Sequence, residues 1–141
     1  MDIEQLAVAE IKKVISRTDY IKSFINDGDK EPCWDGNLYV YSDISQKNEY
    51  YKGKVPIQIK GKKCKKFSDK ELKYLIRVVD LQNYSIEGGT IYFVVEITEN
   101  YSNSSPIMMK ANIAAIDGST KFEVGSVEVN SNVTIKYNLA Q

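Results

Sequence analysis

The stretch Lys54-Val55-Pro56-Ile57-Gln58-Ile59-Lys60 alternates apolar and polar residues with a period of two, the pattern of a strand that has one face in a core. Val55, Ile57 and Ile59 share the buried face, and Gln58 and Lys60 share the other. A second run, Thr90-Ile91-Tyr92-Phe93-Val94-Val95-Glu96-Ile97, is almost continuously apolar, as expected of a strand covered on both faces. Upstream of both, Ile3, Leu6, Ala7, Ile11, Val14 and Ile15 recur at the spacing of one helix face. A helix is therefore expected from Ile3 to Ser16, with Asp2 as its N-cap. Turning about 100° per residue sets Glu4 between Ile11 and Ile15, inside the apolar sector, where an acid needs a partner.

The remaining segments fill in between these three. Thr18 to Asn26 is rich in aromatic and β-branched residues and reads as a strand. The acidic, turn-rich Asp27-Gly28-Asp29-Lys30-Glu31-Pro32 delivers Trp34-Asp35-Gly36 to the mouth of a strand over Asn37 to Ser42, with Leu38 and Val40 on one face and Tyr39 and Tyr41 on the other. Ser45 to Gly53 reads as a polar connection. Leu72 to Val79 is either a strand or the run into a short helix over Asp80 to Tyr84. Gly88-Gly89 is a turn and Tyr101 to Pro106 a polar loop. Ile107 to Ile113 is a further strand, and Phe122 to Val129 and Val133 to Tyr137 alternate like a hairpin across Asn130-Ser131-Asn132. Helix, strands, short helix and strands in this order make an α/β (α+β) fold, a central mixed sheet flanked by helices. The expected division is a core over residues 1–115 with a C-terminal β-hairpin extension, 116–141, of the same domain.

Composition narrows the chemistry. At 141 residues, 43% hydrophobic and 27% charged, the chain can bury a core as one domain. Its 19 basic and 19 acidic residues cancel, so attraction to a polyanion has to come from local charge. The absence of histidine excludes imidazole ligands and the Ser-His and Cys-His nucleophile pairs. Cys33 and Cys64 fit neither a disulfide framework nor a zinc pattern, and Cys64, among lysines, is expected to have a lowered pKa. Met1-Asp2-Ile3-Glu4 is not a signal-peptide start and no run is long enough to span a membrane, which points to a cytoplasmic protein.

Asp35, Gln58 and Lys60 suit metal-dependent phosphodiester hydrolysis. Mg²⁺ takes oxygen ligands and keeps several waters, so one or two carboxylates, Asp35 first, with the Gln58 amide oxygen and a substrate phosphate suffice, with Mn²⁺ as a substitute. The Lys60 ammonium is placed to stabilise charge developing on phosphorus or to orient the attacking water. Lys52, Lys54, Lys60, Lys62, Lys63, Lys65 and Lys66 put seven positive charges into fifteen residues without one acid. Of these, Lys54, Lys62, Lys63, Lys65 and Lys66 are candidate phosphate contacts. Tyr39, Tyr41, Tyr50 and Tyr51 have the chemistry to stack on bases. Each feature also has a plainer reading. Glu4 can complement the helix dipole, Asp35 can form a turn, Gln58 and Lys60 can line a solvated face, the lysines can guard a sheet edge, and strand tyrosines are more often structural.

Glu4 in the first helix, Asp35 in Trp-Asp-Gly, the Val-Pro-Ile-Gln-Ile-Lys-Gly run and the Gly-Gly-Thr-Ile-Tyr-Phe-Val-Val strand together resemble the PD-(D/E)XK, or restriction-endonuclease-like, nuclease superfamily. The variant is the one with glutamine in place of the motif's second acid, as in Mrr-type nucleases, and the likeness is greatest to nuclease domains at the N-terminus of bacterial antiphage-defence proteins. It spans Met1 to Ile113, with Trp34 where a proline often precedes the aspartate. The resemblance implies a restriction-endonuclease-like core and Mg²⁺-dependent endonuclease activity on DNA, or RNA, in phage defence. Asp35 is implied as the metal-binding aspartate, Gln58 as the replaced acid, Lys60 as the motif lysine and Glu4 as the first-helix glutamate. A double-strand cutter needs two such sites, hence a homodimer, and many relatives carry a further sensor or motor domain. The alternatives are a catalytically inactive module of the same fold that binds nucleic acid or a partner protein, and a small adaptor with an apolar patch on the Phe122 to Tyr137 hairpin.

Overall fold

Two clusters of apolar side chains, one on each face of a single mixed sheet, organise the chain. The computed structural model describes residues 2–26, 34–69, 72–98, 109–117, 126–129 and 135–137. Helix α1 (Ile3–Ile15) is followed by β1 (Ile21–Ile25), β2 (Gly36–Tyr41), a 3-10 turn at Asn48–Tyr50, β3 (Tyr51–Cys64), β4 (Tyr74–Arg77), α2 (Val78–Ile86), β5 (Gly89–Thr98), β6 (Met109–Asp117), β7 (Ser126–Val129) and β8 (Ile135–Tyr137). The main sheet has the order β1-β2-β3-β5-β6. β1, β2 and β3 form an antiparallel meander, β5 joins β3 in parallel after the β4–α2 crossover, and β6 returns antiparallel. β4, β7 and β8 make a second, three-stranded sheet. The α+β class with a mixed sheet is as expected.

Asp2 caps α1 as its side chain accepts the Gln5 N–H at 3.1 Å, and the helix ends one residue earlier than the apolar period suggests. Ala7, Ile11 and Ile15 sink into the first cluster with Leu38, Ile57, Ile59, Phe93, Val95 and Ile97. Full burial of an isoleucine such as Ile11, Ile57 or Ile59 stabilises by about 1.5–3 kcal/mol. Val14, assigned to the buried face by its spacing, is 38% exposed because the covered stripe is narrow and centred on Ala7, Ile11 and Ile15. On the other face of the sheet, Leu72, Ile76, Leu81 and Tyr84 of the crossover pack on Tyr92, Val94 and Ala114. β5 lies between the two clusters, which is why its sequence is apolar at almost every position.

Several segments differ from their sequence reading. β3 begins four residues before Val55 and continues to Cys64, so part of the supposed connection and most of the lysine run are strand. Parallel pairing with β5, including Lys62 opposite Glu96 and Cys64 opposite Thr98, holds the basic end in the sheet. The Leu72 to Val79 ambiguity resolves into both alternatives, a strand and then a helix. β1 occupies only Ile21–Ile25 of the expected Thr18 to Asn26. β6 runs to Asp117, past the expected boundary at 115. The C-terminal hairpin forms, with Val129 opposite Ile135, and β7 also pairs with β4, which joins it to the crossover. The Tyr101 to Pro106 loop and the 130–132 turn lie outside the described residues. Among the described residues, no helix is long and apolar enough to cross a membrane.

Two glycines set the positions of the elements around β3. A Cβ at Gly36 would collide with the Phe24 carbonyl oxygen and lie 2.8 Å from Ile25 Cα, so only glycine lets β1 close on β2 there. A Cβ at Gly61 would collide with the Ile3 side chain and lie 2.7 Å from the Ile3 carbonyl oxygen. The N-terminus of α1 therefore rests on Gly61. Gly36→Ala is expected to destabilise the protein by about 3 kcal/mol, at the upper end for overpacking because the obstacle is backbone. Urea unfolding followed by circular dichroism measures it, and a change below about 1 kcal/mol would contradict this packing.

Candidate active site at the opening between β2 and β3

The β2–β3 ladder stops at Gly36 opposite Ile57, whereas β3 continues for another seven residues. Asp35 N–H also donates to the Ile57 carbonyl at 3.0 Å, so Asp35 and Gly36 together oppose Ile57. Two residues facing one is a β-bulge, a device that re-aims side chains and recurs beside active sites. It throws Trp34 onto the face of the α2 cluster, where its ring lies 6.0 Å from that of Tyr84. Beyond the bulge, Ile59 lies past the last residue pair of the β2–β3 ladder. The Asp35 carboxylate meets it there, with Oδ2 accepting from Ile59 N–H at 2.7 Å.

The site residues expected from the sequence meet on this length of β3. Asp35, 8% exposed, is tied to the residue between Gln58 and Lys60. Gln58 is equally buried, and its Oε1 has no hydrogen-bond partner. Lys60 Nζ lies 3.8 Å from Glu4 Oε1, with the two side chains 31% and 47% exposed. Glu4 is therefore not turned into the core as its helical angle suggested. It does lie on the stripe of Ala7, Ile11 and Ile15, but α1 reaches its end on Gly61, and Glu4 overhangs the sheet there beside Lys60. The partner an inward acid required is the Lys60 ammonium.

Tyr92 faces Gln58 across the β3–β5 ladder. Burial pushes its hydroxyl far above the ordinary tyrosine range, and the nearby Tyr74, Tyr84, Asp80 and Asp35 add to the effect. Tyr74, 5.9 Å from it ring to ring, is also raised, first by burial and then by Glu4. Both phenols stay neutral donors at physiological pH. The linkage is one-sided. Below about pH 10 folded and unfolded chains carry the same proton on Tyr92. Above it only the unfolded chain ionises, so stability is complete below about pH 10 and falls by about 1.4 kcal/mol per pH unit above it. Urea midpoints from pH 8 to 11 test this, with Tyr92→Phe expected to flatten the alkaline decline.

The lysine run is divided by strand geometry. Lys54, Lys60 and Lys62 fall on the Gln58 face and Lys63 on the α1 face, while Lys65 and Lys66 lie past the strand end. Lys66 pairs with Asp69 at 3.9 Å on the surface. Sequence reasoning missed the anchor of this region, Glu96. It is 2% exposed and accepts from Ser68 N–H at 3.0 Å and Ser68 Oγ at 2.9 Å, while Lys110 Nζ donates to the Ser68 carbonyl at 2.8 Å. Its signal was a lone acid within the apolar run from Thr90 to Ile97. The Cys64 thiol is pushed up, by burial and then by Glu96, with Lys62 opposing, so the lowered pKa expected from its lysine neighbours is corrected.

The chemistry on offer is a set of oxygen donors distributed along β3, with a cation beside Glu4. Asp35 keeps one oxygen beyond that given to Ile59, Gln58 presents an unpaired carbonyl, Glu4 adds a carboxylate at the rim, and Lys60 supplies the ammonium. Among the described residues, no group of three His, Cys, Asp or Glu side chains gathers to hold a metal ion. Matches were sought among family models, curated proteins and solved structures. None was found. The functional reading accordingly rests on the geometry and chemistry of the opening itself.

Proposed function

We propose that the chain is a metal-dependent phosphodiester hydrolase acting on DNA, of the restriction-endonuclease-like kind, with Asp35, Gln58, Lys60 and Glu4 as its site. The observation that carries this reading is the buried, unpartnered Gln58 oxygen on the residue before Ile59, whose N–H holds the Asp35 carboxylate. A buried acceptor without a protein partner costs about 1–3 kcal/mol, and such a group calls for an ion, a ligand or an ordered water to meet it. These residues fit Mg²⁺ or Mn²⁺. Two or three oxygen donors are enough for an ion that retains most of its waters, and the amide in place of a third acid is compatible with it. The order α1, the β1–β2–β3 meander, β4, α2, β5 and β6 is an α+β arrangement with a mixed sheet, the coarse class that the resemblance implies.

Asp35, Gln58 and Glu4 would hold the ion. When bound, it supplies Lewis-acid polarisation of the phosphate and makes water more acidic. The chain's own residues do the rest. Lys60, next on the same face after Gln58, offers a compact ammonium to the charge that accumulates on the phosphoryl oxygens. Glu4 beside it orients that ammonium. The backbone N–H of Ile59 fixes the Asp35 carboxylate, so the negative charge needs little reorganisation when substrate arrives.

Cleavage of plasmid DNA in Mg²⁺ or Mn²⁺, abolished by chelation, is the test. Lys60→Ala is expected to fold, because the side chain is partly exposed, and to lose about a hundredfold or more in cleavage rate. No cleavage of DNA or RNA in either metal would overturn the proposal. It would favour an inactive module of the same fold, the reading supported by the lack of a three-acid cluster among the described residues.

A further inference from the structure

The main sheet is covered unequally. α1 lies along one face, whereas on the other face the β4–α2 crossover packs on β5 and β6 and, among the described residues, leaves the β1–β2–β3 meander open. The open half carries Lys22, Phe24, Tyr39, Tyr41, Tyr51 and Lys54, as the ladders show: Lys22 and Lys54 both lie opposite Tyr39, Phe24 opposite Asn37, and Tyr41 opposite Tyr51. Phe24 is 65% and Tyr51 44% exposed. The Tyr51 ring stands 6.1 Å from that of Tyr39 and 6.0 Å from that of Tyr41. These three strands contain six lysines and no acidic residue.

We infer that this open face binds single-stranded nucleic acid and leads it to the opening between β2 and β3. Exposed rings next to lysines, on strands that carry no acid, match a chain of π-faced bases joined by phosphates. They fit a protein partner less well, since an apolar protein surface would leave the lysines without counter-charge. A duplex keeps its base faces stacked and offers these rings nothing. A depression of about 230 Å³ between Trp34, Asn37, Lys54, Pro56 and Glu87 continues the surface toward the site. It is smaller than the roughly 300–1,000 Å³ of small-molecule sites and has the Trp34 ring and Lys54 in its lining, which suits a single base. From Lys54 to Lys60, on the same face of β3, is about 20 Å of strand, the length of a short oligonucleotide. The inference rests on the proposed hydrolytic site only for where the strand leads.

The test is anisotropy of a fluorescein-labelled oligothymidylate, or oligouridylate, of about twelve nucleotides, in EDTA so that no cleavage occurs. At low salt the intact protein is expected to bind the single strand at least about tenfold more tightly than a duplex of equal length. The two oligonucleotides distinguish DNA from RNA. Tyr51→Leu is expected to weaken binding about tenfold, with Tyr51→Trp retaining it. Lys54→Gln is expected to flatten the dependence of log Kd on log salt by about 0.7, one phosphate contact. Tyr51→Leu and Lys54→Gln alter exposed side chains, and thermal melts confirm their fold. Equal or tighter binding of duplex, or unchanged binding by Tyr51→Leu, overturns the inference. Single-strand binding without cleavage in Mg²⁺ or Mn²⁺ leaves it standing and removes the hydrolase proposal instead.

Discussion

Asp35→Asn is expected to fold normally and to lose about a thousandfold in DNA cleavage, whereas Asp35→Ala is expected to lose both activity and about 2–3 kcal/mol of stability. The two variants separate two tasks of one side chain. In its structural task, Oδ2 takes the Ile59 N–H where β2 no longer can. Asparagine keeps an acceptor oxygen at the same reach. Alanine leaves a buried amide without a partner, which costs about 1–3 kcal/mol on top of the lost contacts. In its chemical task, the carboxylate contributes the negative charge that attracts a divalent ion, and a neutral amide does not. The magnitude follows from removing a principal charge from a preorganised centre, typically ~10²–10³ in rate or more. Urea unfolding and single-turnover cleavage are the two measurements. If Asp35→Asn cleaves at the wild-type rate, the carboxylate is only a strand cap.

Gln58→Leu is expected to move the two properties in opposite directions, with stability rising by about 1–2 kcal/mol and cleavage falling below detection. The Gln58 oxygen is buried and unpaired, and leucine of similar size removes the desolvated acceptor without opening a cavity. A gain of that size moves the melting temperature upward by several degrees. Strain retained at a functional position and relieved by an inert substitution is the expected trade between stability and activity. Gln58→Glu gives the complementary result, less stable without metal and recovered on adding Mn²⁺, because an unpaired buried carboxylate is worse than an unpaired amide until an ion meets it. A Gln58→Leu protein that melts lower than wild type would show that the oxygen has a partner after all.

What the sequence revealed, and what it hid, follows from the range of the forces involved. The span of α1 was legible because a local cap and a short apolar period define it, and β5 because burial on both faces leaves no polar positions except Thr90, Tyr92 and Glu96 before Thr98. The basic end of β3 was not legible. Its lysines look like a solvated loop, and only pairing with β5, 34 positions further along the chain, makes it strand. Glu4 shows the same limit within one residue. Periodicity gave its angle on the helix, but not that the first turn of the helix rests on Gly61, beside Lys60. Asp35, Gln58 and Lys60 could be chosen from residue type and alternation, whereas the bulge that joins them could not, because a register offset leaves no mark in composition. The aromatic face was visible as alternating tyrosines, and its exposure depended on where the crossover came to rest.

Crystals grown with Mn²⁺ and measured at a wavelength where manganese scatters anomalously put the central claim to its most direct trial. The expected result is a single strong peak within about 2.0–2.4 Å of the free Asp35 oxygen and of Gln58 Oε1, with Lys60 Nζ nearby and absent from the coordination sphere. A peak held elsewhere on the molecule, or no peak at a manganese concentration that supports cleavage, would contradict it.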